Sequence, residues 1–327
     1  MTLNFGILGA AKIAPQGLIE PARETPGVAV RSIGARDVAR ARHFAEVHQV
    51  PVVHRDYGSV ISDPEIQAVY IPLPISEHAT WTQKALDAGK HVLCEKSFAM
   101  NASEARSMRA AAARSGLVLM DAFHYRYHPL FAAAVEIIKS GEIGEVQRLE
   151  AEFRVKGPVP EDDIRMTYAL GGGVLMDIGC YPVSWARHLL QEEPKVTSAR
   201  AVVGPDQVDL EMRASLLFPS GAEAEIIGGM QSSDRFKALI NVEGSTGTLT
   251  IANPLVPQFG HEMRVAAGGE ERIETFTQKA SYTFQLEAFC RAVTHGDPIW
   301  TDPDDAVSQM KVIDACYQKA GLKVRGS

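Results

Sequence analysis

The chain is short of cysteine, has no long apolar run and carries no surplus of positive charge, and each shortage removes a class of protein. Its four cysteines among 327 residues, Cys94, Cys180, Cys290 and Cys316, are scattered without a close pair. That spacing supports neither a disulfide framework nor a zinc site, and no His/Cys/Asp cluster calls for a metal. Reduced thiols in a cytoplasmic protein are the simplest expectation. No run approaches the ~20 apolar residues of a membrane span. The opening Met1-Thr2-Leu3-Asn4-Phe5 lacks the basic flank and apolar stretch of a signal peptide. A net charge of −7, with only Arg36, Arg40 and Arg42 as a small basic group, argues against nucleic acid and against an acidic membrane surface as partners. With 46% hydrophobic and 22% charged residues, the chain reads as globular and long enough for two domains.

The first 123 residues alternate apolar runs with amphipathic stretches. Phe5–Leu8, Val28–Ala35, Ala68–Ile71, His91–Cys94 and Val118–Phe123 read as strands, and Val38–Val47, Glu77–Ala88 and Ser103–Ser115 as helices. Strands apolar throughout imply a parallel sheet covered on both faces, a doubly wound α/β domain of Rossmann type over residues 1–123. The pattern changes at His124-Tyr125-Arg126-Tyr127-His128-Pro129, where residues 124–327 begin. After a helix at Pro129–Lys139, period-two alternation sets in at Leu149–Val155 and Leu210–Phe218, with further strand-like runs at Ala222–Ile227, Ala238–Glu243, Gly247–Ile251 and Met263–Ala267. The second domain is therefore expected to be α+β, built on a mostly antiparallel open sheet. Helices at about Tyr282–Thr294 and Pro303–Lys319 close the chain.

Directly after the first strand stands Gly9-Ala10-Ala11-Lys12-Ile13-Ala14. A dinucleotide site needs small residues here for a tight turn, for backbone approach to pyrophosphate and for packing of helix on strand. Gly9, Ala11, Lys12 and Ile13 are the candidate contacts, with the pyrophosphate on the following helix N-terminus. At the tip of the second strand, Ala35-Arg36 leaves the carboxylate position of an NAD site vacant and offers a guanidinium to a 2′-phosphate. NADP(H) is favoured over NAD(H), although Asp37 could bind ribose or simply cap the next helix. Pro72-Leu73-Pro74 stiffens the loop after Ala68–Ile71, which would lie beside the nicotinamide ribose and makes Pro72 and Leu73 candidate cofactor contacts; Ser76 reads as a helix cap, and His78 as either a cofactor contact or a packed residue.

Glu95-Lys96 follows the buried run His91–Cys94, at the strand end that faces the ligand crevice of such sheets, and both are candidate cofactor contacts. In isolation Lys96 reads as a surface lysine. Farther on, Gly171-Gly172-Gly173 leads to Asp177 and Tyr181, four residues apart and so on one helix face. Pro182 is expected to force a break near Gly179 and to open a new helix.

Together these residues resemble the glucose–fructose oxidoreductase/inositol dehydrogenase (Gfo/Idh/MocA) family, and the match spans nearly the whole chain. Tyr181, where many members carry histidine, and the His124–Pro129 segment resemble the branch with dihydrodiol dehydrogenase and NADP-linked xylose dehydrogenases. The resemblance implies Lys96 and Tyr181 as a catalytic pair, Asp177 as their neighbour, and self-association as a homodimer or homotetramer. Ser97 departs from the family's usual proline, which is expected to loosen the loop carrying Lys96.

The implied activity is hydride transfer to or from a secondary alcohol or ketone of a sugar-like or diol substrate. Tyr181 would be the general acid/base; a free phenol has a pKa of about 10, and a nearby ammonium favours its phenolate. Arg126, Phe153 and Arg165 are candidate substrate contacts, with core packing an equal reading for Phe153 and a solvated loop arginine for Arg165. The rival readings are a non-catalytic dinucleotide-sensing regulator and an NAD-dependent glycosidase of the same fold.

Overall fold

The computed structural model describes residues 2–232 and 236–327. Its strands are β1 (Leu3–Leu8), β2 (Val28–Gly34), β3 (Val52–His54), β4 (Ala68–Ile71), β5 (His91–Cys94), β6 (Leu119–Asp121), β7 (Val146–Lys156), β8 (Lys195–Val203), β9 (Asp209–Leu217), β10 (Glu223–Ser232), β11 (Phe236–Gly244), β12 (Gly247–Ala252), β13 (Glu262–Ala267) and β14 (Glu270–Glu274). Its α-helices are α1 (Glu20–Glu24), α2 (Val38–His48), α3 (Tyr57–Ile61), α4 (Ile75–Asp87), α5 (Ala102–Ser115), α6 (Pro129–Lys139), α7 (Cys180–Leu190), α8 (Ser281–His295) and α9 (Pro303–Lys319). No helix among the described residues is long and apolar enough to cross a membrane.

The first unit holds residues up to 99, 103–124 and 282–307. Its six strands run parallel in the order β3-β2-β1-β4-β5-β6. Strand order reverses between β1 and β4, and this is where open α/β sheets bind ligands, beyond the carboxyl ends of the strands. The four residues of β4 are all buried, as are Val92, Leu93 and Cys94 of β5, which is why these strands read as unbroken apolar runs. A single cut after residue 123 does not describe the packing, because 282–307 belong to this unit as well. Phe289 of α8 lies 5.5 Å from Phe5, and Tyr282 stacks on His124 at 3.7 Å between ring centroids. Thr301 closes the edge: its hydroxyl donates to Asp121 O at 2.7 Å, and its carbonyl accepts from Asp121 N at 3.0 Å.

The second unit holds 100–102, 125–281 and 308–327, on an eight-stranded sheet in the order β14-β13-β12-β11-β7-β10-β9-β8. Every neighbouring pair is antiparallel except β7 and β10. Leu149, Ala151 and Phe153 of β7 and Met212, Ala214 and Leu216 of β9 are buried, so the period-two rhythm marks a sheet with one core face. On that face Phe153, Tyr181, Trp185, Tyr125 and Phe131 form one aromatic cluster, with centroid separations of 4.7 to 6.2 Å.

Three strands have no counterpart in the hydrophobic pattern: β3, β8 and β14. All three are sheet edges in the observed orders. An edge strand is covered on fewer sides and favours charge over apolar alternation, as Glu270-Glu271-Arg272 of β14 illustrates.

His128 caps α6 from the residue before Pro129: its Nδ1 accepts from Leu130 N at 3.2 Å, while its Nε2 lies 3.1 Å from Thr277 O. Burial, more than any neighbour, lowers its pKa from 6.5 to about 4. The folded ring resists protonation that the unfolded ring accepts, so its stabilising effect is complete above pH 6.5 and is lost as pH falls toward 4. That window corresponds to at most about 3 kcal/mol. Urea unfolding at a series of pH values should show stability falling across this range, and His128→Asn, which keeps a capping acceptor, should flatten the fall. An unchanged slope in the variant would contradict the assignment.

Candidate functional site

In the first unit the turn after β1 is tied to β2, with Gly9 N donating to Gly34 O at 2.7 Å. Gly9 sits at φ +105°, which favours glycine, and a Cβ there would lie 2.9 Å from Leu73 Cδ2. Ala11 and Ile13 are half-buried and Lys12 is exposed in the turn; helical backbone starts at the fully buried Ala14, with Pro15 in the first turn.

Asp37 is the helix cap of α2, its carboxylate accepting from Ala39 N at 2.9 Å and Arg40 N at 3.1 Å. Arg36 stays exposed beside Tyr57, and its charge partly offsets the burial that raises the phenol's pKa. Arg40 is the residue that sequence reasoning passed over, noted only as part of a basic group. Its guanidinium donates to Ala10 O at 2.8 Å, which brings a second cation to the turn. Helix spacing gives no signal for it, because Arg36 lies before the Asp37 cap and outside α2.

Beyond β4, Pro74 rather than Ser76 occupies the cap position of α4, without a side-chain hydrogen bond; Ser76 lies inside the first turn. His78 is 1% exposed, with Nε2 2.8 Å from Leu73 O and Nδ1 2.9 Å from Ser97 O. Burial lowers its pKa. Ser97 is itself 1% exposed, so the loop expected to be loosened by the missing proline is held by this contact. Glu95 is buried and accepts from the Tyr70 hydroxyl at 2.6 Å. Lys96 is half-buried, and its charge is felt both by His78 and by Asp121. Asp121 is wholly buried; desolvation, then the carboxylates of Asp305 and Glu95, push its pKa well up.

In the second unit the three glycines form the foot of the helix that carries Asp177 and Tyr181. Gly173 has φ +127°, and a Cβ there would meet Asp209 Oδ1 at 2.1 Å. Asp209 Oδ2 accepts from Leu175 N at 2.8 Å, and Oδ1 accepts from Arg325 Nη2 at 2.6 Å and the Tyr317 hydroxyl at 3.0 Å. Arg325 Nε in turn donates to Gly172 O at 2.7 Å. The break expected before Pro182 does not occur. The helix widens into a π-turn at Leu175–Gly179 and runs on into α7, whose first turn holds Pro182. An extra residue in the turn accommodates the missing N–H and the ring without ending the helix.

Tyr181 is 5% exposed within the aromatic cluster, and Phe153 packs against it at 5.8 Å. Asp177 accepts from Arg165 Nε at 2.5 Å, and Asp163 pairs with the same guanidinium at 3.2 Å. The Asp177 carboxylate is the main cause that raises the Arg165 pKa above its usual range. Arg126 lies with its guanidinium 5.4 Å from the Phe131 ring centre. The first unit thus presents Gly9, Arg36, Leu73 and Lys96 just beyond strand ends, with Arg40 on α2, and the second holds Tyr181 and the Asp177–Arg165 pair. Among the described residues no cluster of metal-binding side chains is present.

Comparison with known proteins matches residues 3–123 to the family model described as an oxidoreductase family with an NAD-binding Rossmann fold, and residues 131–250 to the GFO/IDH/MocA C-terminal domain. A D-xylose 1-dehydrogenase (NADP(+)) of Haloferax volcanii is 36% identical, over 97% of each chain. A dTDP-3,4-didehydro-2,6-dideoxy-alpha-D-glucose 3-reductase of Streptomyces antibioticus is 32% identical over 98% of each. Among solved structures, a 3-ketoreductase from Actinomadura kijaniata in complex with NADP and TDP-benzene superposes with a TM-score of 0.90, 27% identity and 98% coverage of both chains.

The buried Asp209–Arg325 pair can be tested directly. Arg325→Met leaves a carboxylate buried without its cation, which typically costs about 3–5 kcal/mol. Thermal unfolding of the variant should show a melting temperature lower by several degrees. A change of less than about 1 kcal/mol, the range of exposed pairs, would remove the pair from its structural role.

Proposed function

The chain belongs to the GFO/IDH/MocA oxidoreductase family, and we propose that it is an NADP(H)-dependent enzyme oxidising or reducing a secondary alcohol or ketone on a sugar-like substrate. The observation that carries the reading is end-to-end similarity to NADP-linked sugar dehydrogenases and ketoreductases, joined to the residues at the tip of β2. No acidic residue stands at position 35, Asp37 is spent as a helix cap, and two arginines flank the turn. That set fits a 2′-phosphate better than a 2′-hydroxyl.

Bound NADP supplies the hydride acceptor, and NADPH the donor. The Gly9 turn and the helix that follows it bind the pyrophosphate through backbone amides, and Arg36 and Arg40 take the 2′-phosphate. Tyr181 takes the hydroxyl proton in oxidation and returns it to the oxygen in reduction. Lys96 donates a charge-assisted hydrogen bond to the same oxygen and stabilises negative charge on it. Asp177, its carboxylate fixed by Arg165, orients a substrate hydroxyl, and Arg126 and Phe153 complete the substrate contacts. The four free thiols suit a reducing compartment such as the cytoplasm. Self-association as a dimer or tetramer belongs to the same proposal, since Val202, Val203, Leu217 and Ile273 are exposed on sheet strands. Light scattering that returned a monomer would remove that part.

The primary test is absorbance at the reduced-nicotinamide band with D-xylose, other aldoses, diols and ketosugars, each with NADP⁺ and NAD⁺ or the reduced forms. Turnover with a preference for NADP is expected. Cofactor binding without turnover would favour a sensor, and sugar release without net reduction a glycosidase. Tyr181→Phe and Lys96→Met should each lower kcat by about a hundredfold or more. Losses below about tenfold would overturn the assigned roles.

A further inference from the structure

Three loops at the carboxyl ends of β1, β4 and β5 are linked through two side chains, those of Leu73 and His78. Leu73 packs against the Gly9 turn, close enough that a Cβ on Gly9 would lie 2.9 Å from its Cδ2. The carbonyl of that same Leu73 lies 2.8 Å from His78 Nε2. On the other edge of the ring, Nδ1 lies 2.9 Å from the carbonyl of Ser97, the residue after Lys96. Carbonyl oxygens only accept, so either neutral tautomer hydrogen-bonds one loop and contacts the other. Both ring nitrogens are therefore turned to backbone, and at 1% exposure the ring has no open edge for a ligand.

We propose that His78 is a positioning residue: by bridging Leu73 O and Ser97 O it fixes the loop bearing Lys96 relative to the dinucleotide turn. The inference rests on the reading that Lys96 serves the reaction, and it names what aims that amine. A loop end with its own hydrogen bonds could wander by an ångström without unfolding, and a shift of that size at a reacting group can cost about a hundredfold in rate.

The test compares wild type, His78→Leu and His78→Gln, with folding checked by circular dichroism and thermal unfolding. Lysines are reductively methylated with ¹³C-formaldehyde, the Lys96 signal is assigned by its loss in Lys96→Arg, and its titration midpoint is read by NMR in the cofactor-free protein. NADPH affinity is measured by fluorescence. If His78 aims Lys96, the midpoint in His78→Leu moves by about half a pH unit or more as the amine's surroundings change. NADPH binding should also weaken at least threefold (about 0.6 kcal/mol), and His78→Gln, whose carboxamide can donate to one loop, should recover part of both. A folded His78→Leu with the Lys96 midpoint and NADPH affinity of wild type overturns the proposal. Should His78→Leu not fold, His78→Gln is judged by the same two readouts. Neither readout uses turnover, so a wild type that binds NADPH but reduces nothing sinks the enzymatic reading while the role of His78 is still decided.

Discussion

Two opposite charges with no access to water, Asp209 and Arg325, hold the foot of the second unit's Tyr181 helix in place. Both side chains are fully buried, 2.6 Å apart, and each also bonds backbone at the foot of the Tyr181 helix. Such a pair need not add much net stability over an apolar substitute, because desolvation offsets the attraction. Its value lies in geometry: with Leu175 N and Gly172 O as further partners, only one arrangement satisfies all the groups. The three-glycine turn follows from that arrangement, since the carboxylate occupies the space a side chain on Gly173 would need. The rotation of the helix about its axis, and hence the side on which Tyr181 emerges, is set from beneath.

The first unit solves a related problem with neutral or single-charge groups. Its strands are apolar along their length and turn polar at their carboxyl ends, where Glu95, Asp121 and His78 are all buried. Unpaired polar atoms in such a place are costly, and most are paired: Glu95 with Tyr70, His78 with two carbonyls. The Asp121 carboxyl oxygens are the exception, with no hydrogen-bond partner among the described residues, and burial pushes the acid's pKa well up. Polar groups concentrated at one end of an otherwise apolar sheet are what distinguish its ligand-facing edge from the rest.

The central strands were readable because burial on both faces leaves one signal: Ala68–Ile71 and His91–Cys94 appear in the structure with the bounds the pattern predicts. The edge strands β3, β8 and β14 were not, since a strand with one neighbour is under less pressure to be apolar. Local chemistry was legible where partners are close in sequence, as in Asp37 capping α2. It failed where they are distant. Nothing in the neighbourhood of Asp209 announces Arg325, 116 residues on, and nothing near Ser97 announces that a histidine nineteen residues earlier holds it. The helix through Pro182 was misjudged for a different reason: a proline says that a regular turn cannot form, but not whether the chain will break or widen.

The placement of α8 bears on how this protein is made. When residue 124 leaves the ribosome all six strands of the first sheet exist, yet Phe289, which covers Phe5, has still to be synthesised, with residues 125–281 to come first. The nascent amino-terminal half must wait with part of its apolar surface bare, a condition that invites aggregation or a chaperone. A fragment cut after the last strand inherits the same bare patch permanently. Any attempt to express the cofactor half alone should therefore graft the 282–307 segment back onto it through a linker.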